Sequence, residues 1–487
     1  MKLSNVLRFM RANALLITLA ILPCFSALLH LRAFSSDLVG IHVWRQTQTQ
    51  STILSFYEED FNILAPRRTA RGGNDGIARI EFPLMQWLFA CFYKLFGNHL
   101  IITRLLTFIT GIFSIAGVYT LLNTLFKDRL VGVAGAWAFN FSPVFFYYTV
   151  NPMPDNIALC FGIWGLACFF RWYDNREFAH LLLSGFFLCL SALTKLPFVI
   201  YFSVPFAYFL FQGNSQKRNG LLVTALFLIP PAIWYAWAIP GWTGNPVVSG
   251  ILKNDLGMGQ IFQYLLDNLI SVLPEMLLNY ASVPFFVAGL YFMVSRKSYR
   301  DSRFKLLAIL GAAVLAYFLF EINIIANVHD YYLFPFLPLL FILAGYGILN
   351  MLTGRSIALS RFAFFLLALL PLTAYLRMQV RWTAERPGFN KDWLTYKSEL
   401  RGAVPNDALC IAGNDVSSCI FFYYIDKKGW PFNSDQLDST RMKTMIKEGA
   451  SYLYSDSRNV DEKADIQPYL DSLILEKGSV RIFRLRK

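Results

Sequence analysis

The feature that most limits what this chain can become is a succession of long, nearly uncharged apolar runs. A hydrocarbon core about 30 Å thick takes roughly 20 apolar residues per helix. Runs that reach or approach this length cover residues 12–31, 100–126, 130–150, 156–170, 179–194, 197–212, 221–239, 280–294, 304–320, 332–352 and 362–376. They predict an α-helical polytopic membrane protein with about eleven transmembrane helices. The runs are continuous, which argues against the alternating strands of an outer-membrane barrel. The first run is not a removed signal peptide, because no A-x-A site follows it and further spans do.

Composition points the same way. Of the 487 residues, 15% are charged and 56% hydrophobic. Soluble domains carry about a quarter charged residues. Disorder, collagen, coiled coil and a secreted disulfide scaffold are excluded. A net charge of +13 would suggest nucleic acid for a soluble protein. Here the cations gather in short loops between apolar runs, so they report topology and contact with membrane lipids, and no nucleic-acid partner is expected. With the N-terminus inside, the inner segments hold Arg8, Arg11, Lys127, Arg129, Arg171, Arg176, Arg296, Arg300, Arg303, Arg355 and Arg361, among others. The short outer loops hold only Lys195 and Lys253, as the positive-inside rule requires.

That orientation places three large regions on the outer side, which in a bacterium means the periplasm. They are the first loop (33–97), a second loop (240–279) with an amphipathic stretch at 259–278, and a tail (379–487). The tail mixes helix-like text at 391–401 with strand-like runs at 408–412, 451–454 and 480–485. The predicted organisation is a transmembrane domain over 1–378 and a small C-terminal soluble α/β domain over 379–487. Five of the seven cysteines lie in or beside apolar segments as small packing residues. Cys410 and Cys419 lie in the tail, where an oxidising compartment would allow one disulfide.

Ionisable groups at membrane depth are costly and are functional candidates by default. In the first loop, His42 and Gln46 share a helical face with Arg45 beside them, and Gln48 follows. Arg67, Arg68 and Arg71 add a basic cluster; a solvated interfacial helix touching anionic headgroups explains the same pattern equally well. Glu81 precedes Pro83 and Asp155 stands in NPMPDN, both near helix starts, where a carboxylate is also a simple cap. Asp155 lies in so short a loop that it must sit at membrane depth. Lys195 is the one cation of the tight turn ALTKLP; a snorkelling lysine and a phosphate ligand are the two readings. His329 and Tyr332 open another span in NVHDYYLFPFLP, where interfacial tyrosines are ordinary. No H-E-x-x-H, paired CxxC, P-loop or G-x-S-x-G is present, and there are five histidines in all. No cofactor is expected, and nothing indicates a divalent cation.

Taken in order, HVWRQTQTQ, FYEED, EFPLMQWLFACFYKLFG, MPDNIALCFGIWGLACFFRWYD, SALTKLP and HDYYLFPFLPLLFILAGYG resemble the multi-spanning GT-C glycosyltransferases of the dolichyl-phosphate-mannose–protein mannosyltransferase type. That group includes bacterial relatives such as the lipid A aminoarabinose transferase and the Rgt-type lipopolysaccharide sugar transferases. The resemblance covers roughly residues 1–350 and rests on the ordered set rather than any single motif. It implies a sugar donor on a polyprenyl phosphate and a glycan, lipid or protein acceptor entering from the periplasm. By position it implies catalytic carboxylates at Glu81 and Asp155, a phosphate contact at Lys195 and substrate contacts at His329 and Tyr332; Arg45 and Arg67 are the other cations available on that side for phosphate, and His42, Gln46 and Gln48 the first-loop polar groups available for substrate. One departure stands out. Many relatives carry an acid in WRQ-A-D-T where this chain has Gln48, so the base must be Glu81, Asp37, Asp60 or Asp155. A lipid-linked glycan flippase and a non-catalytic envelope scaffold are the alternatives to transfer.

Overall fold

The computed structural model describes residues 3–71, 75–211, 216–242, 246–253, 256–325, 329–415, 417–433 and 436–486, with the side chains of Leu3, Ser4, Gln216, Lys217, Pro246, Val248 and Lys253 outside that set. The chain divides into two compact units. The first holds Met1–Ser35, Ile80–Phe82 and Arg104–Val380; the second holds Ser36–Arg79, Pro83–Thr103 and Arg381–Lys487.

Seven helices among the described residues are long and apolar enough to cross a membrane: Ala14–Phe34, Leu100–Phe126, Pro154–Asn175, Arg218–Gly241, Ser302–Phe320, Asp330–Thr353 and Ile357–Gln379. Shorter apolar helices run over Leu84–Phe96, Phe178–Thr194, Leu196–Phe211 and Val283–Ser295. The predicted run at 130–150 is the exception. It forms two helices, Arg129–Asn140 and Pro143–Tyr148. Pro143 disfavours helical backbone in the residue before it, and Ser142 is extended at φ −59°, ψ 120°. A broken helix among apolar neighbours leaves carbonyls to be satisfied by side chains. Asn279 does this, donating from Nδ2 to Phe141 O at 3.0 Å and Leu370 O at 3.2 Å, while Thr373 donates to its Oδ1 at 2.8 Å.

Close packing in the first unit relies on small residues. A Cβ on Gly347 would lie 1.9 Å from Phe285 O, and one on Gly289 would lie 2.0 Å from Leu343 O. Helices Val283–Ser295 and Leu337–Thr353 therefore touch backbone to backbone, as small-residue interfaces in membranes allow. The predicted amphipathic stretch is a helix at Met258–Asp267 that widens to π-helical turns over Asn268–Leu277.

The second unit is built on a five-stranded sheet: β1 Leu409–Gly413, β2 Lys428–Phe432, β3 Tyr452–Ser455, β4 Leu470–Lys477 and β5 Val480–Leu485. Their order is β2-β1-β3-β5-β4, with β2, β1 and β3 parallel and β3, β5 and β4 antiparallel. Side chains alternate across a strand. In β1, Cys410 and Ala412 join one apolar cluster with Trp393 and Phe421, while Ile411 joins the other with Met442 and Leu453. Both faces are thus covered, as parallel strands require. The edge strand β2 is shielded by the first loop: Gly429 N donates to Thr69 O at 3.0 Å and Arg71 N to Gly429 O at 2.6 Å. Residues 36–79 therefore belong to the same compact unit as the tail.

The disulfide considered for Cys410 and Cys419 is absent. Both are free, buried thiols that pack as small apolar groups, one in β1 and one before helix Ile420–Ile425.

Candidate functional site

Helix Pro154–Asn175 begins at a turn held by buried polar side chains. Arg104 Nη1 donates to Val150 O at 3.0 Å and Asn151 Oδ1 at 2.9 Å. Asn156 Nδ2 donates to Tyr148 O at 2.8 Å and Asn151 O at 3.1 Å. The turn fixes Asp155, which is 2% exposed, in the first turn of the helix.

The next helix, Phe178–Thr194, runs back against it in a defined register. Ser184 Oγ donates to Gly165 O at 2.8 Å and Ser191 Oγ to Ala158 O at 2.7 Å. Carrying that register one helical turn further brings Lys195 opposite the start of the first helix. The Lys195 ammonium lies 3.4 Å from Asp155 Oδ2, and Lys195 is 8% exposed.

A third segment closes around the lysine. The 3₁₀ turn Asp330–Phe336 places the Tyr332 and Tyr331 rings 5.2 and 5.8 Å from its ammonium, a cation–π arrangement. His329 stacks on Tyr332, with ring centroids 5.2 Å apart. Tyr148 donates to Asp330 Oδ1 at 2.8 Å, Tyr317 to Tyr332 O at 3.1 Å and Tyr201 to Pro335 O at 3.0 Å, so the turn is pinned from three helices.

The structure adds a carboxylate that sequence reasoning missed. Glu321, one residue past helix Ser302–Phe320, is 4% exposed and interacts electrostatically with Lys195. Its Oε2 has no hydrogen-bond partner among the described residues. Burial pushes its carboxyl up to about 7 against the opposing pull of Lys195. Arg104 was missed as well. The signal for both was present, since Arg104 interrupts an apolar run and Glu321 ends another.

Glu81 is 7% exposed in the same unit. Its neighbours Ile80 and Phe82 meet Trp234, through an indole hydrogen bond of 3.3 Å and an edge-to-face ring contact of 5.0 Å. Adjacent Tyr235 donates to Leu193 O, two residues before Lys195, at 3.1 Å. Glu81, Asp155, Lys195, His329 and Tyr332 therefore all lie in the first unit.

His42, Arg45, Gln46, Gln48 and Arg67 lie in the second unit. His42 caps helix Val43–Glu58 in a left-handed conformation, φ 54°. Arg45 and Gln48 are hydrogen-bonded to each other, and Gln46 Nε2 donates to Ile41 O at 3.1 Å. Arg67 is paired with Asp60 at 2.8 Å, which holds the Asp60 carboxyl below its usual range with help from Asn62 N–H. Asp37 is paired with Lys397 at 2.6 Å and accepts from Tyr423. Both alternative bases of the first loop are thus engaged by cations. Among the described residues, no three His, Cys, Asp or Glu cluster closely enough to hold a metal ion.

Two comparisons bear on this arrangement. Residues 81–237, the stretch that carries Glu81, Asp155 and Lys195, match the family profile of dolichyl-phosphate-mannose-protein mannosyltransferase. Among solved structures, the fold matches ArnT from Cupriavidus metallidurans in the apo state with a TM-score of 0.69 at 12% identity, over 95% of this chain and 97% of that one. The same protein bound to undecaprenyl phosphate matches with a TM-score of 0.68 at 12% identity, over the same shares of the two chains. The arabinofuranosyltransferase AftD from Mycobacteria matches with a TM-score of 0.55 at 13% identity, over 96% of this chain and 41% of that one. At these identities the structural likeness is one of fold. No curated protein sequence matches the chain. Residues 81–237 are thus similar in sequence to one group of membrane glycosyltransferases, and the fold of the chain is similar to that of ArnT along nearly its whole length.

Proposed function

We propose that the chain transfers a sugar from a polyprenyl-phosphate donor to an acceptor hydroxyl on the periplasmic face of a bacterial inner membrane, in cell-envelope glycan or lipopolysaccharide modification. The observation that carries this reading is the buried Asp155–Lys195 pair, with buried Glu321 coupled electrostatically to the same lysine. One ammonium thus interacts with two carboxylates, so its charge can be redirected when an anion arrives. ArnT binding of undecaprenyl phosphate supports the choice of donor.

In this mechanism the donor phosphate takes Lys195 from Asp155. The released Asp155 accepts the acceptor's hydroxyl proton as its oxygen attacks the anomeric carbon. The bond from that carbon to the phosphate oxygen breaks, and negative charge grows on the departing lipid phosphate, where Lys195 stabilises it. A single displacement inverts the anomeric centre. Tyr332 and His329 form an aromatic floor suited to a sugar face. Glu81 is assigned as a second carboxylate toward the acceptor. The sequence resemblance and the charge pattern also offer Arg45 and Arg67 for phosphate and His42, Gln46 and Gln48 for substrate.

The test is to incubate purified protein with polyprenyl-phosphate sugars and score both carrier phosphate release and product anomer. Release with inversion, lost in Asp155→Asn, is expected. A protein that binds the lipid yet releases no phosphate from any donor is a flippase or scaffold, and the reading fails.

A further inference from the structure

Helix Pro154–Asn175 has a second charged end. Asp174 lies nineteen residues beyond Asp155 on that helix. At 1.5 Å per residue the two are about 30 Å apart, close to one hydrocarbon thickness. Around Asp174 the helix ends line an open groove of about 520 Å³, bordered by Asn123, Lys127, Arg129, Arg171, Asp174 and His180 among others. That volume suits a small polar ligand.

The charges of this groove do not balance. Its one lining carboxylate, Asp174, is already held by Lys127 and by Arg303 at 2.5 Å. Asp128, next to Arg129, is taken by Arg11 at 2.7 Å and caps its helix through Leu130 N. Glu177 faces His180 at 3.2 Å. Among the described residues, Arg129 and Arg171 have no carboxylate within ion-pair distance. Beside the groove, helix Phe178–Thr194 exposes Phe178, Leu182, Leu183 and Phe186 in sequence. An anion here would meet cations at the end of a helix about one hydrocarbon thickness long, level with lipid headgroups.

We infer that this groove binds the phosphate headgroup of an anionic phospholipid, with the acyl chains in the adjoining hydrocarbon layer. Basic pockets between helix ends are the recognised setting for such headgroups. The place of the groove at the end of a membrane-crossing helix, among exposed apolar side chains, favours a lipid over a free phosphate. The site is separate from the Asp155–Lys195 centre and stands whether or not that centre transfers sugar.

The experiment uses the full-length protein in detergent. Retained lipid is counted by native mass spectrometry and melting is followed with added phosphatidylglycerol, phosphatidylcholine or inorganic phosphate. Phosphatidylglycerol is expected to bind and raise the melting temperature; the other two are not. Arg129→Gln/Arg171→Gln is expected to weaken phosphatidylglycerol about thirtyfold, which is about 2 kcal/mol at 1.4 kcal/mol per tenfold. Arg129→Lys/Arg171→Lys is expected to retain most of the binding. Should the glutamine variant not purify, the wild type serves: its phosphatidylglycerol retention falls as salt rises. Equal retention in wild type and glutamine variant, salt-independent retention, or equal protection by inorganic phosphate would overturn the inference.

Discussion

The two ends of helix Pro154–Asn175 make opposite use of charge. At one end Asp155, Lys195 and Glu321 are buried together, with more carboxylates than cations. At the other, Lys127, Arg129 and Arg171 are exposed around a single acid, Asp174. A buried ion pair is strongly coupled to its surroundings, and breaking it leaves an uncompensated charge. An exposed pair is screened and contributes little. Distance alone does not rank them: the buried Asp155–Lys195 pair is 3.4 Å apart, whereas the more exposed Arg11–Asp128 and Arg67–Asp60 pairs are 2.7 and 2.8 Å apart. Burial, not closeness, marks the end where redistributing charge can do chemistry.

Mutations can break this contrast in graded steps. The largest effect is expected from Asp155→Asn, which keeps shape but removes the proposed base; turnover should fall roughly a hundred- to ten-thousandfold. Measured turnover near the wild-type value would remove Asp155 from the mechanism. Lys195→Ala should cost about a hundred- to a thousandfold in kcat through lost stabilisation of the departing phosphate. A change confined to KM would mean that Lys195 only binds the donor. Arg104→Leu should lower stability by about 1.5–3 kcal/mol, the worth of a charged buried hydrogen bond. Loosening the turn under Asp155 should also slow turnover, and chemical denaturation together with a kinetic assay separates the two losses.

Glu321→Gln sharpens the comparison through pH. The carboxyl titrates at about 7, neutral below and anionic above. As pH rises through that value, ionised Glu321 should compete with the donor phosphate for Lys195, so donor KM should rise a fewfold in the wild type. The glutamine variant should show no such rise, and parallel curves for the two proteins would refute the coupling. At the opposite extreme, Arg11→Ala beside the basic end should change stability by less than about 1 kcal/mol and leave turnover unaltered. A large loss in the melting curve would show that the exposed end is as strongly coupled as the buried one.

Much of this was legible in residues. Length and apolarity alone set the helical membrane fold, because a hydrocarbon core accepts few alternatives. Ten of the eleven apolar runs are helices, and the eleventh failed at Ser142–Pro143, where a local backbone rule outweighed a continuous apolar composition. Three tail strands were readable as short strand-like runs. β2 and β4 were not: β2 carries Gly429 and Pro431, and β4 is exposed over much of its length, so neither has a clean apolar pattern.

Chain order and composition determined by themselves that acid and base would gather at helix ends, since an ionised group is costly between them. They named Asp155 and Lys195. Only the tertiary structure decided that these two face each other, through the serine-to-carbonyl register of two antiparallel helices. It also brought Glu321 to them from more than a hundred residues away, and it assigned Asp37 and Asp60 to partners of their own. A sequence fixes what each side chain can do and how deep it can lie. Which charge meets which depends on contacts between distant segments, and those exist only once the helices have packed.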